Sequence, residues 1–118
     1  MTTTIRPILF YDATCRFCRF AARSVARLDR RQRLALLPLQ VSAAATLLPD
    51  LPEEQRLASI HVVEPSGERH SAGDALVRIA RLLELPAPAA LRHLYGPVAR
   101  RRGPLGKFVP DGPAPKRP

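Results

Sequence analysis

At 118 residues, 46% hydrophobic and 25% charged, the chain has the composition of a globular protein, with length for one buried core but not for two independent domains. No apolar run approaches the roughly 18 to 20 residues that cross a bilayer, which excludes a membrane-spanning helix. "MTTTIRP" at the start lacks the basic and apolar regions of a secretory leader, so a cytoplasmic location is expected. The net charge of +9 sits unevenly: residues 92–118 hold seven basic residues against one acid, net +6, leaving 12 against 9, net +3, in residues 1–91.

"IRPILFYD", residues 5–12, is rich in branched and aromatic side chains and reads as a buried strand. It runs into "ATCRFC", which holds the only two cysteines, Cys15 and Cys18. From Cys15 to about Arg31 there is no Pro or Gly. At about 100° per residue Arg16, Arg19, Arg23, Arg27 and Arg30 share one face, and Phe17, Cys18, Ala21, Val25 and Leu28 the other. This spacing predicts an amphipathic helix, with Thr14 as its N-cap. "RLALLPLQ", 33–40, is a second strand, and residues 42–58 hold a helical stretch in which Pro52, Glu53 and Glu54 suit a helix start. "ASIHVVE", 58–64, is a third strand, turned by "PSG" into an antiparallel fourth, "ERHS". "GDALVRIARLLEL", 73–85, is an amphipathic helix with Leu76, Ile79, Ala80 and Leu83 inward, stopped by Pro86 and Pro88. A last helix is expected over 89–102. The domain therefore spans 1–102, followed by a Pro/Gly-rich basic tail, 103–118, expected to be disordered.

The order is strand, helix, strand, helix, strand, strand, helix, with a CxxC at the first strand-to-helix junction. It predicts an α/β, thioredoxin-like fold: a central four-stranded mixed sheet flanked by helices. A thiol exchanges disulfides as its thiolate, and a free Cys with a pKa of about 8.5 is mostly protonated at neutral pH. At a helix start Cys15 faces unpaired N–H groups and the positive end of the dipole, with Arg16 and Arg19 adding positive charge. Cys15 is then the nucleophile, and Cys18, one turn on and inward, the resolving thiol. Asp12, three residues before Cys15, is placed either to relay the proton of Cys18 or simply to cap the turn. Inert cysteines and a metal site are the alternatives. Metal is disfavoured because there is no other Cys, and His61, His70 and His93 lack a ligand spacing; His61 reads as a sheet-surface residue. No cofactor is expected.

"LFYDATCRFC" resembles the opening of the DCC family, small proteins named for an Asp-Cys-Cys signature and described as thiol-disulfide oxidoreductases with a thioredoxin-like fold. The resemblance continues through the arginine-rich helix, "LLPLQ" at 36–40, "SIHVVEPSGERHSAGDAL" at 59–76 and "LYGPVARRR" at 94–102. It implies that Asp12, Cys15 and Cys18 are the signature residues and that the substrate is a protein or small-molecule disulfide, glutathione among the candidates. The family commonly has Gly after the Asp, where Ala13 stands here, which bears on any left-handed backbone at that position. Thioredoxins place a Pro before the third strand, and "QRLASIHVV" has none, so substrate must dock differently. "SAGDA", 71–75, loosely resembles the Gly-Asp segment with which glutaredoxins hold a glutathione carboxylate, but a plain helix start explains the same letters.

The arginine face of the first helix opens a second reading, a non-catalytic binding module that engages a protein or nucleic acid. Nucleic acid is not the expected partner, because aromatic residues are only 5% of the chain and do not interleave with the basic tail. Oligomeric state is not legible in the sequence.

Overall fold

The computed structural model describes residues 6–117. The first expected strand begins at Ile5, outside the described residues, and the strand itself is β1, Ile8–Tyr11. It is followed by α1, Arg16–Leu28; β2, Ala35–Pro38; α2, Ser42–Leu47; α3, Glu53–Leu57; β3, His61–Val63; β4, Arg69–Ser71; and α4, Ala72–Leu82. A 3-10 turn, Pro88–Leu91, leads into α5, Arg92–Arg100, then α6, Arg102–Leu105, and a second 3-10 turn, Gly106–Phe108.

The sheet order is β2-β1-β3-β4. β1 pairs in parallel with β2 and antiparallel with β3, and β3 pairs antiparallel with β4. The parallel β1-α1-β2 unit needs a crossover, which α1 supplies, whereas β3 and β4 are joined by a tight turn in which Gly67 takes φ 94. This is the thioredoxin-like α/β arrangement.

Side chains alternate across β1 and divide the core in two. Ile8 and Phe10 meet Ala35, Leu37, Leu48 and Val63 under α2 and α3. Leu9 and Tyr11 meet Ala22, Leu36, Val62 and Ile79 under α1 and α4. Pro49 and Pro52 divide the single helical stretch expected over 42–58 into α2 and α3. In α1 the inward residues are Cys18 and Ala22, while Leu28, expected inside, is 59% exposed because the helix ends beside it. The end is made by Asp29, whose carboxylate turns back to accept the N–H groups of Arg33 and Leu34, both at 2.9 Å. His61 is a correction: it is buried, not on the sheet surface, with Nδ1 2.7 Å from the Ser71 hydroxyl and Nε2 2.9 Å from the Arg56 carbonyl. Burial pushes its pKa below the ordinary 6.5, against the opposing effect of the Arg56 contact.

The tail is a second correction. Composition pointed to a segment without structure, yet α6 packs against α1, and residues 109–117 run along the arginine face of that helix. Arg16 Nε donates to the Val109 carbonyl at 3.1 Å, Arg23 to those of Pro110 and Pro113, and Arg19 to that of Gly112 and to the Asp111 carboxylate. The Tyr11 hydroxyl donates to the Pro115 carbonyl. Arg117 then pairs with Leu36 on the free edge of β2, exchanging two 2.8 Å backbone bonds and covering an edge that otherwise presents unpaired groups. Prolines do not donate, but their carbonyls accept strongly, and the α1 arginines supply the donors. Composition registers the first fact and not the second.

Candidate active site around Cys15 and Cys18

β1 ends at Tyr11, and the four residues that follow form the turn into α1. Asp12 organises it. Its Oδ1 accepts the Thr14 N–H at 2.9 Å, the Thr14 hydroxyl at 2.6 Å and the Gln40 side-chain amide at 2.8 Å. Thr14 is therefore not the N-cap: its hydroxyl is spent on Asp12, and the cap is Cys15, in extended backbone (φ −96, ψ 118), whose Sγ accepts the Cys18 N–H at 3.3 Å. A sulfur here takes the place usually held by a Ser or Asp oxygen. Ala13 needs no left-handed backbone, since it is absent from the positive-φ residues among those described. Its N–H donates to Gln40 Oε1 at 3.1 Å, and its carbonyl accepts from Arg19 at 2.8 Å.

The two thiols are free and unequal. Cys15 is partly exposed and Cys18 is buried, 8% accessible. Burial raises the Cys18 pKa from 9.0 to about 12, and the neighbouring Cys15 and the Asp12 charge push the same way, while Arg102 opposes them. Burial alone would also raise Asp12, but its hydrogen bonds from Thr14 and Gln40 and the Arg102 charge outweigh burial and hold it below the usual carboxylate value. Asp12 is thus ionised, and Cys18 is a neutral thiol at neutral pH.

Arg16 and Arg19 were expected to support the Cys15 anion. Arg19 instead directs its guanidinium to Ala13, Gly112 and Asp111, and Arg16 gives Nε to Val109 while still lining the cleft at Cys15. The cation that reaches the pair is Arg102, with Nη1 4.0 Å from Cys18 Sγ and Nη2 3.4 Å from the Leu57 carbonyl. Sequence reasoning assigned no role to Arg102 or Gln40. Both lie in segments that resemble the DCC family, "LYGPVARRR" and "LLPLQ", and that resemblance was the available signal.

Two hollows flank the pair. Behind Cys18, between α1, α4 and α5, lies a cavity of about 300 Å³ lined almost wholly by apolar side chains such as Phe17, Val25, Leu76 and Val98. The Tyr95 hydroxyl at its wall is occupied by the Ile60 N–H at 3.1 Å. This apolar surround is the physical cause of the raised Cys18 pKa. In front of Cys15 lies a cleft of about 240 Å³ walled by α6 and the following turn. At "SAGDA", Asp74 lies in the first turn of α4 and pairs with Arg92 at 3.0 Å. No cluster of three or more His, Cys, Asp or Glu side chains suited to a metal occurs among the described residues.

A thioredoxin-like sheet that delivers a CxxC pair to the start of its first helix, one sulfur open and the other buried, is the architecture of thiol-disulfide chemistry. The family model of the DCC1-like thiol-disulfide oxidoreductases matches residues 9–105. The chain belongs to that family. No curated protein and no solved structure matches it significantly. No helix among the described residues is long and apolar enough to cross a membrane.

Proposed function

We propose that the protein is an enzyme that cycles between a Cys15/Cys18 dithiol and the corresponding disulfide. The observation that carries this reading is the inequality of the two sulfurs: Cys15 is accessible at the helix cap, while Cys18 lies one turn behind it, protonated and out of reach. Cys15, as thiolate, attacks one sulfur of a substrate disulfide. The Cys15–S bond forms, the substrate S–S bond breaks, and the departing thiolate takes a proton from water. Cys18 then loses its proton and attacks Cys15, forming the intramolecular disulfide and releasing the second substrate thiol. Substrate is reduced by two electrons and the protein oxidised by two; an external dithiol restores the starting state.

Asp12 fixes the turn in this cycle. Its Oδ1 is held by Thr14 and Gln40, and among the described residues no hydrogen bond joins it to Cys18, so the Cys18 proton leaves to water. Arg102 favours the transient Cys18 thiolate. The experiment is trapping. With hydroxyethyl disulfide, Cys18→Ser is expected to accumulate a mixed disulfide on Cys15, detected by mass, and Cys15→Ser none. Equal labelling of both variants overturns the assignment.

The arginine face as a partner-binding surface loses support because Arg16, Arg19 and Arg23 are engaged by residues 109–113 of the same chain.

A further inference from the structure

The charged side chains that line the cleft in front of Cys15 are Arg16, Arg102 and Lys107, all cationic. None of the three forms an ion pair with a carboxylate among the described residues. Two acids that feel these charges are committed elsewhere. Asp111 feels the Arg16 charge but pairs with Arg19 at 2.7 Å, and Asp12 feels the Arg102 charge but is held by Thr14 and Gln40. Its floor includes Gly106, which is buried against the first turn of α1 beside Arg16 and Phe17. Three cations without a carboxylate partner around one concave site, Arg16 and Lys107 exposed and Arg102 half-buried, raise the local concentration of an anion and its encounter rate, by about 10- to 1,000-fold in steered systems. At about 240 Å³ the cleft falls below the roughly 300 Å³ at which drug-sized ligand pockets begin, room for one arm of a small molecule.

We propose that this cleft selects small disulfides whose arms carry carboxylates, holding the carboxylate among Arg16, Arg102 and Lys107 while Cys15 attacks the adjacent sulfur. The proposal rests on the exchange chemistry above and adds its substrate class. Cys15 bonds to one sulfur, the substrate S–S bond breaks, and the second carboxylated arm departs as a thiolate that water protonates.

The test uses three disulfides of similar size and different charge: dithiodipropionate, hydroxyethyl disulfide and cystamine. Each rate of mixed-disulfide formation on Cys15 is divided by the rate of the same disulfide with mercaptoethanol, which removes differences in leaving-group reactivity. The expected normalised order is anionic, neutral, cationic, with a spread of about tenfold or more at low salt that shrinks as salt is added. Lys107→Glu is expected to narrow the anionic-to-cationic ratio by about tenfold, whereas Lys116→Glu, the same charge change on an exposed residue outside the cleft lining, leaves the ratio in place. Equal normalised rates for the three disulfides, or a ratio that Lys107→Glu does not move, overturn the anion site while leaving thiol exchange standing. Failure of all three to react at Cys15 overturns both.

Discussion

The Cys15 sulfur accepts the Cys18 backbone N–H at 3.3 Å, so the atom that caps α1 is also the one that attacks the disulfide in the proposed cycle. Serine is a good N-cap and a poor substitute nucleophile, and alanine is neither. Cys15→Ser is expected to unfold within about 0.5 kcal/mol of the parent in urea, while Cys15→Ala loses about 1 kcal/mol. Both lose mixed-disulfide formation. Equal stability of the two variants would remove the capping role.

Asp12 and Arg102 act on Cys18 in opposite directions. The Asp12 charge raises the Cys18 pKa, and asparagine can keep the turn by accepting the same Thr14 N–H. Asp12→Asn is therefore expected to make Cys18 easier to ionise, speeding its alkylation about threefold or more at pH 9 in a Cys15→Ser background. A slower reaction would instead identify Asp12 as the acceptor of the Cys18 proton.

Arg102 lowers the Cys18 pKa, so Arg102→Met has the reverse sign. Removing a cation 4.0 Å from the sulfur is expected to slow closure of the Cys15–Cys18 disulfide roughly tenfold, and the mixed disulfide on Cys15 accumulates in rapid-quench samples. An unchanged closure rate would show that the guanidinium does not act on Cys18.

The buried thiol also links stability to pH. Because the folded pKa of Cys18 is raised, from 9.0 to about 12, the unfolded chain loses this proton first as pH rises. The folded state binds more protons through that window, so stability is full below about pH 9 and falls towards pH 12. Tyr11, raised by burial from 10.0 to about 12 against the nearby Arg19 and Arg23, adds a fall in the same direction. Cys18→Ala is expected to flatten the alkaline fall between pH 9 and 10, where Tyr11 contributes little, as read from urea midpoints in the reduced state.

Asp29 is 3% exposed and its carboxylate meets Arg117 at 2.6 Å. Arg117 also donates to the Leu34 carbonyl and pairs with Leu36 through its backbone. Removing the cation leaves a buried carboxylate with only backbone donors. Arg117→Met is expected to cost about 1 to 3 kcal/mol in urea unfolding, and Asp29→Asn in that background to recover part of it. A loss below about 0.5 kcal/mol would mean that the C-terminal segment contributes nothing through this pair.

The sequence by itself determined the order of strands and helices, the placing of CxxC at the β1-to-α1 junction and the family. These rest on local signals: apolar periods of two and 3.6, prolines that end helices, and a short motif. It also marked Asp12, Cys15 and Cys18 as the residues of interest. What it could not place was anything set by contacts between distant segments. Thr14 resembles a cap by residue type, yet Asp12 takes its hydroxyl and Cys15 caps instead. Arg16 and Arg19 are adjacent to the thiols in sequence, but residues 109–112 and Ala13 draw their donors away, and Arg102 arrives from α6 to meet Cys18. The tail looked structureless because its prolines and glycines lack local order, and it is ordered by donors on another helix. Tertiary structure decided which charges face the sulfurs, because a charge acts through distance in space and not along the chain.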